Sequence, residues 1–78
     1  MRVTLKLARV GMNMEEATIV KWHKQPGETF RSGDPLYEIE TEKVNQEIAA
    51  TSNGTMVEIY AREGEIVKVG SQVCVVDL

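Results

Sequence analysis

A single lysine stands among four glutamates in the segment from Glu38 to Ile48, EIETEKVNQEI. This lysine, Lys43, has apolar residues on both sides, Ile39 before it and Val44 after it. The simplest interpretation of such a residue is a solvated surface charge. The alternative is that its amine has a chemical role, and the remainder of the sequence decides between the two.

Other residues that could do chemistry give weaker signals. His23 is the only histidine and has no cysteine, aspartate or second histidine at a spacing typical of metal sites or catalytic triads, so we expect it to cap a strand end beside Trp22. Cys74 lies in an apolar run, where a cysteine is typical of a core. The glutamates at positions 38, 40 and 42 could serve acid–base chemistry only in a pocket that raises a carboxyl pKa. The sequence therefore predicts a domain that is not an enzyme by itself.

Size and composition limit what the chain can be. With 78 residues, 42% of them hydrophobic and 27% charged, it is expected to form one domain, residues 1–78, with a modest core. A net charge of −3 argues against nucleic-acid binding, which requires clustered Lys and Arg. No apolar run approaches the ~20 residues of a membrane span, and the start, MRVTLKLARV, lacks a signal-peptide pattern. One cysteine excludes an internal disulfide, which is consistent with a reducing compartment.

The sequence also repeats itself. The segment from Ala17 to Glu40 matches the segment from Gly54 to Asp77 without a gap, at a separation of 37 residues (54 minus 17). Gly-Glu pairs recur at equivalent places, Gly27-Glu28 in the first copy and Gly64-Glu65 in the second, and Gly33 matches Gly70. Each copy therefore predicts a strand, a Gly-Glu turn, a short strand, a Gly turn and a further strand.

The predicted fold class is all-β. Short segments rich in Val, Ile, Thr and aromatic residues favour strands, no segment has ten residues of helical period, and the stretch from Met12 to Met14 is predicted to be a loop. Each half alone would leave an apolar sheet face in water, so the halves must share a core. We expect a flattened β-barrel or sandwich of two antiparallel sheets, about four strands each, related by a pseudo-twofold axis.

The repeat also predicts the position of Lys43. Extended backwards, it places Thr4–Leu7 on Thr41–Val44, and it places the turn around Lys43 opposite the region where the chain begins and ends. Lys6 lies in an apolar alternation and is predicted to be an ordinary strand lysine. Lys43 instead lies at the crossing between the halves, where a tight turn must project into solvent. We therefore expect it at an exposed tip.

Nearly the whole chain resembles the lipoyl domains in the E2 components, the dihydrolipoamide acyltransferases, of 2-oxo acid dehydrogenase complexes. The segments that carry the resemblance are GMNMEEATIVKW (Gly11 to Trp22), GDPL (Gly33 to Leu36), ETEKV (Glu40 to Val44), Gly64-Glu65 and Val69-Gly70. The family motif is Glu-Thr-Asp-Lys followed by Ala or Val, so Glu42 departs from it by one methylene. Ala8-Arg9-Val10 departs too, because many members begin this stretch with proline.

The resemblance implies that the ε-amine of Lys43 is joined in an amide to lipoic acid. The amide removes the charge of the lysine and leaves a long arm ending in a dithiolane, for which a protruding tip is a suitable anchor. The implied partners are a thiamin-dependent decarboxylase (E1), the E2 acyltransferase core and the flavoprotein dihydrolipoamide dehydrogenase (E3). The arm would carry acyl groups and reducing equivalents between them. A lipoate ligase or lipoyl transferase is the implied modifying enzyme.

The resemblance also implies a recognition surface around Lys43. Turn residues Glu40, Thr41, Glu42 and Val44 flank it, and the acidic ones, together with Glu47, would steer basic patches of partners. Solvated strand-end charges are the alternative interpretation of these glutamates. In the family, the loop between the first two strands, here Val10 to Glu16, lies beside the lipoyl turn and helps E1 recognise its domain. That role is carried over to Gly11, Met12, Asn13 and Glu15. The methionines could equally cover the edge of the core.

Two other functions stay open at this point. A biotinyl carrier domain has the same duplicated architecture, but its lysine typically lies between two methionines, whereas Glu42 and Val44 flank Lys43. An unmodified interaction module that kept the fold would also fit. Within the lipoyl family, the start GMNMEE is similar to pyruvate-type or acetoin-type E2 chains more than to branched-chain or 2-oxoglutarate types. The expected location is the bacterial cytoplasm, with the mitochondrial matrix as the alternative.

Overall fold

Eight β-strands account for all the regular secondary structure of the computed structural model, which describes residues 1–78. The strands are β1 (Arg2–Lys6), β2 (Glu16–Trp22), β3 (Thr29–Phe30), β4 (Pro35–Glu40), β5 (Asn45–Ala49), β6 (Gly54–Ile59), β7 (Ile66–Lys68) and β8 (Gln72–Asp77). They form two separate four-stranded antiparallel sheets, with strand orders β1-β8-β6-β3 and β5-β4-β2-β7. The predicted all-β fold is confirmed in its sandwich form. The structure contains no helix that could cross a membrane.

The two halves of the repeat interlock through their short strands. β3, from the first half, pairs with β6 of the second half, and β7, from the second half, pairs with β2 of the first. Each sheet is thus completed by a strand of the other half. Since neither half holds a complete sheet, the two must fold together around a single core, as the repeat predicts.

The repeat does not extend backwards to β1 in the way the sequence predicts. β1 pairs with β8 just as β5 pairs with β4, with Arg2 opposite Asp77 and Asn45 opposite Glu40. The structural counterpart of β1 is therefore β5, and Thr4–Leu7 does not correspond to the turn around Lys43. The reason is a difference in connection length: residues 7–15 join β1 to β2, whereas only residues 50–53 join β5 to β6.

The turn around Lys43 and the meeting of the chain ends occupy equivalent places in the two halves. Thr41 N donates to Val44 O at 2.8 Å, and Leu78 N donates to Met1 O at 2.8 Å. The Met1 ammonium also lies 2.9 Å from Asp77 Oδ1, and this hydrogen bond lowers the pKa of the Asp77 carboxyl. The pseudo-twofold axis therefore relates the turn around Lys43, where the chain is continuous, to the place where Met1 and Leu78 meet without a covalent connection.

The chain ends lie at the opposite end of the sandwich from Lys43. Val69, in the turn before β8, donates its N–H to Glu15 O at 2.9 Å, and Glu15 lines the same cleft as Lys43. β8 then runs away from this cleft for six residues, a distance of about 20 Å at the usual rise of a strand. The predicted opposition of the turn and the chain ends is confirmed.

All 16 buried residues are hydrophobic, and they form one cluster between the sheets. A bulge at Val20 interrupts the alternation of β2, so Ile19 and Trp22 both point inward although they are three residues apart. The Trp22 ring packs against Tyr37 with centroids 4.7 Å apart, and its Nε1 donates to Ala61 O at 2.6 Å. The end of β2 is thereby fixed, which matters for the next residue, His23.

Gly33→Val is expected to destabilise the domain through backbone strain. Gly33 has a φ of +93°, and nothing lies within 4 Å of a Cβ added there. The penalty therefore comes from the left-handed conformation and not from a clash, and we expect a loss of about 1–3 kcal/mol in the free energy of unfolding. Urea denaturation measures it. Gly11→Val is the matched control, because Gly11 has no positive φ. Equal losses in both variants would contradict the role assigned to φ.

Candidate modification site

Lys43 lies in the turn that joins β4 to β5, and Thr41 determines the shape of this turn. The Thr41 hydroxyl accepts hydrogen bonds from Val44 N at 3.2 Å and from Lys43 N at 3.4 Å. A threonine side chain that bonds the backbone two and three residues ahead stabilises a turn locally. Thr41, which the sequence marks as a recognition residue, thus has a structural role as well.

The Lys43 side chain is exposed and without a partner. None of the ion pairs in the structure involves it, and no side-chain hydrogen bond holds it. An amine in this state is accessible to a modifying enzyme, and an arm attached to it would extend into solvent. The predicted placement of Lys43 at an exposed tip is confirmed.

An open cleft beside Lys43 brings the predicted recognition residues together. One wall is the loop before β2, and the other is the turn itself. The predicted residues that line the cleft are Gly11, Met12, Asn13, Glu15, Glu40, Thr41, Glu42 and Val44. The loop is slightly shorter than the sequence suggests, because Glu16 already begins β2. The recognition role of these residues stays a prediction.

The cleft is strongly acidic. Glu15, Glu16, Glu40 and Glu42 line it, and Lys43 is the one cationic side chain among its lining residues. Conversion of the Lys43 amine to an amide would remove this charge and leave only carboxylates. Such a surface attracts basic partner surfaces over a range of several ångströms.

Apolar side chains also border the cleft, some from the loop before β2 and one from β7. Met12 is 87% exposed, whereas Met14 is buried and accepts a contact from Val10 N at 3.4 Å through Sδ. Only Met14 therefore covers the core. Ile66, 66% exposed, joins the cleft from β7 by pairing opposite Thr18. Sequence reasoning missed Ile66, because it is brought to the site by the exchange of short strands between the halves.

His23 is less isolated than the sequence suggests. Its N–H donates to Leu36 O at 2.8 Å, which continues β2 past Trp22 and agrees with the predicted strand-end position. The ring, however, meets two carboxylates: Nε2 lies 3.1 Å from Glu38 Oε2 and 3.8 Å from Glu47 Oε2. The signal that could have revealed this cluster is the β4–β5 hairpin, in which Glu38 and Glu47 stand directly opposite each other.

Cys74 and Tyr37 form a buried pair of weak acids. Both are almost fully excluded from solvent, Cys74 at 0% and Tyr37 at 2% exposure. Burial raises the pKa of the Cys74 thiol to about 12. Burial, and secondarily the charge of Cys74, raises the pKa of the Tyr37 hydroxyl to about 12. Cys74 is therefore a core residue, as predicted, because a thiol held neutral and out of solvent is a poor nucleophile.

These shifts predict that stability falls in alkaline solution. Both groups stay neutral in the fold up to about pH 12, whereas in the unfolded chain the thiol ionises above its ordinary pKa of 9.0 and the phenol above 10.0. Unfolding then releases protons, so stability present below pH 9 is lost between pH 9 and pH 12. Within this range, each group lowers the free energy of unfolding by about 1.4 kcal/mol for every pH unit above its pKa in the unfolded chain.

Urea unfolding of the wild type and of Cys74→Ala at successive pH values measures this dependence. The variant is expected to lose the part of the slope that begins near pH 9 and to keep the part due to Tyr37. Parallel pH profiles of the two proteins would contradict the assignment.

Fold and site together define a class of protein: a duplicated β-sandwich domain that presents one lysine at a hairpin tip beside an acidic cleft. The model of the Biotin_lipoyl family, described as "Biotin-requiring enzyme", matches residues 3–76. The chain belongs to this family.

Individual relatives and a solved structure agree with this membership. The succinyltransferase component of the 2-oxoglutarate dehydrogenase complex of Rickettsia conorii is 42% identical over 73 residues, which are 94% of this chain and 18% of that protein. The acetyltransferase component of the pyruvate dehydrogenase complex of Acholeplasma laidlawii is 35% identical over 92% of this chain and 13% of that protein. The chain thus spans less than a fifth of the length of these two curated relatives.

The solution structure of the lipoyl domain of the 2-oxoglutarate dehydrogenase complex from Azotobacter vinelandii has a TM-score of 0.81 and 29% identity to this chain. The match covers 97% of this chain and 96% of that domain. The names of both relatives refer to a dihydrolipoyllysine residue. The resemblance to E2 lipoyl domains is confirmed, as is lipoic acid on a lysine as the cofactor of such domains.

Proposed function

We propose that Lys43 is lipoylated and that the chain is a lipoyl carrier domain of an E2 acyltransferase. The observation that carries this proposal is the unpaired, exposed amine of Lys43 at the tip of β4–β5, in a chain that aligns over 97% of its length with a solved lipoyl domain. The site fits the group, because the open cleft and the solvent-facing turn leave room for a long arm.

The residues of the chain position this arm. When attached, the lipoyl group supplies a dithiolane that accepts and releases acyl groups and electrons. Thr41 fixes the backbone around the anchor, and the paired strands β4 and β5 hold the turn away from the core. The cleft that Lys43 lines is open and its side chain has no ion-pair partner, so an attached arm can extend into solvent. Catalysis is left to the partners: the E1 decarboxylase, the E2 core and E3.

Attachment is tested by co-expressing the chain with a lipoate ligase and lipoic acid, followed by intact mass measurement and peptide mapping. We expect one lipoyl increment, confined to Lys43. A parallel expression with a biotin ligase is expected to give no increment, because the flanking methionines typical of biotinyl domains are replaced by Glu42 and Val44.

The other outcomes identify the alternatives. A biotinyl increment on Lys43 would make the chain a biotinyl carrier domain, and a folded chain that neither ligase modifies would make it an interaction module. A lipoyl increment on another lysine would show that the turn around Lys43 is not the attachment site.

The type of 2-oxo acid complex is a finer question. The Gly11–Glu16 segment supports a pyruvate or acetoin type, and a relative of the pyruvate type is 35% identical. A relative of the 2-oxoglutarate type is 42% identical. Reductive acylation of the lipoylated domain by a panel of E1 enzymes decides: preference for the pyruvate or acetoin enzyme supports the proposed subtype, and preference for the 2-oxoglutarate enzyme overturns it.

A further inference from the structure

His23, Glu38 and Glu47 form a cluster at the stem of the β4–β5 hairpin that carries Lys43, and the proposed carrier function uses neither His23 nor Glu38. We propose that these three side chains form a binding site for a borderline divalent cation of the Zn²⁺ class. The ligands would be His23 Nε2 and one oxygen from each carboxylate. This inference does not rest on the lipoylation of Lys43.

The geometry suits a tetrahedral ion. With metal–ligand bonds of about 2.0–2.2 Å, neighbouring ligand atoms of a tetrahedral Zn²⁺ site are about 3.3–3.6 Å apart. His23 Nε2 lies 3.1 Å from Glu38 Oε2 and 3.8 Å from Glu47 Oε2, and all three candidate ligand atoms lie within 4.8 Å of one another. The two distances from His23 Nε2 need adjustments well under an ångström. The carboxylate oxygens, at most 4.8 Å apart, need to approach each other by at most about 1.5 Å, which the exposed Glu47 side chain allows.

The charges in the cluster also favour a cation. Glu38 and Glu47 are direct cross-strand partners in the β4–β5 hairpin, and like charges in that arrangement repel each other. Neither carboxylate has a Lys or Arg within ion-pair distance, and His23 is their common partner. Lys21 stands opposite Glu38 in the pairing of β2 with β4 but forms no ion pair with it, so a divalent ion would neutralise both carboxylates at closer range.

Three strands hold the candidate ligands in place. His23 follows β2 directly, and its backbone N–H donates to Leu36 O of β4 at 2.8 Å. Glu38 belongs to β4 and Glu47 to β5. Because all three backbones are tied by sheet hydrogen bonds, little ordering is needed when an ion binds, which favours affinity.

The mixed ligand set selects the type of ion. An imidazole nitrogen with carboxylate oxygens suits Zn²⁺ and its neighbours in the transition series, whereas Ca²⁺ and Mg²⁺ prefer oxygen ligands alone. The side chains of His23, Glu38 and Glu47 are 24%, 36% and 59% exposed. The site thus opens towards solvent on the side of Glu47, where water would complete the coordination.

The test is a Zn²⁺ titration of the 78-residue chain followed by NMR, with Lys43 left unmodified so that no dithiol competes. Since His23 is the only histidine, its imidazole resonances report binding without ambiguity. We expect them to shift and to saturate at one equivalent of Zn²⁺. Ca²⁺ and Mg²⁺ are expected to leave them unchanged.

Three variants locate the ligands. Glu47→Gln and His23→Gln should each weaken Zn²⁺ binding by at least about tenfold, the loss expected for a disrupted coordination shell. Calorimetric titration measures the affinity of every variant, because His23→Gln lacks the imidazole that reports binding by NMR. Glu16→Gln, which removes an exposed carboxylate at the other end of the sheet, should leave the affinity unchanged. The Glu47 side chain is 59% exposed, so its variant is expected to fold even if the His23 variant does not.

The proposal is overturned if the His23 resonances do not respond at millimolar Zn²⁺, if Ca²⁺ shifts them equally, or if Glu47→Gln binds Zn²⁺ as tightly as the wild type. Loss of binding in Glu16→Gln to the same degree would also overturn it, because the response would then reflect net charge and not a defined set of ligands.

Discussion

Replacing Lys43 by glutamine is expected to abolish lipoylation and acyl transfer completely while leaving the fold unchanged. A glutamine amide cannot form the bond to lipoic acid, and the repeat places no second lysine at an equivalent turn, because the chain ends meet there. The side chain is exposed and makes no ion pair, so the free energy of unfolding should change by less than about 0.5 kcal/mol.

Two further variants separate attachment from charge. Lys43→Arg keeps a cation in the turn and should be as inactive as Lys43→Gln, because a guanidinium does not accept the lipoyl group. Lys68→Gln removes an exposed lysine from β7 and should be fully active. The measurements are acyl transfer from a cognate E1 and thermal unfolding by circular dichroism. Transfer that survives in Lys43→Arg, or unfolding of Lys43→Gln, would show that Lys43 has another role.

Ile19→Ala is expected to destabilise the domain more than any of the other substitutions proposed above. Ile19 is completely buried and stands directly opposite Ile39 in the pairing of β2 with β4. Truncation to alanine removes buried methyl groups and leaves a cavity that paired strands cannot easily fill. The loss should be about 3 kcal/mol, which lowers the melting temperature of a domain of this size by more than about 10 °C.

The adjacent residue supplies the control for this prediction. Val20 lies at the bulge of the same strand and is 45% exposed, so Val20→Ala should lose less than about 1 kcal/mol. Ile19→Val should fall between the two, at about 1 kcal/mol. Urea denaturation of the three variants gives these values. A similar loss in Ile19→Ala and Val20→Ala would mean that the core is not centred where the structure places it.

Much of this fold could be predicted from local sequence. Gly33 and Gly70 mark turns whose φ values are +93° and +90°, and the strands follow them as the repeat requires. The position of Lys43 in a turn can be predicted equally well, because a turn between paired strands is specified by residues close in sequence. Local patterns suffice wherever the interacting residues are neighbours along the chain.

The features that were missed depend on residues far apart. A Cβ at Gly54 would lie 2.7 Å from Asp77 O and 2.9 Å from Phe30 Cζ, so this glycine is required by contacts to two other strands and not by its own φ. The carboxylates around His23 and the arrival of Ile66 beside Lys43 likewise follow from sheet order. The register of β1 depended on the length of the connection before β2, which the repeat does not specify.

Because residues 1 and 78 are adjacent, the path of the backbone through the sandwich is a closed circuit except for one missing connection. Leu78 O lies 2.9 Å from the Met1 nitrogen, and β8 and β1 already pair as the strands of a hairpin. A two-residue linker such as Asn-Gly would close this hairpin. It would also reduce the conformational entropy of the unfolded chain. Circular permutants could then be cut at the exposed Thr51–Asn53 connection without breaking a strand. The two sheets and their strand pairing therefore do not depend on which of these two turns is left without a covalent connection.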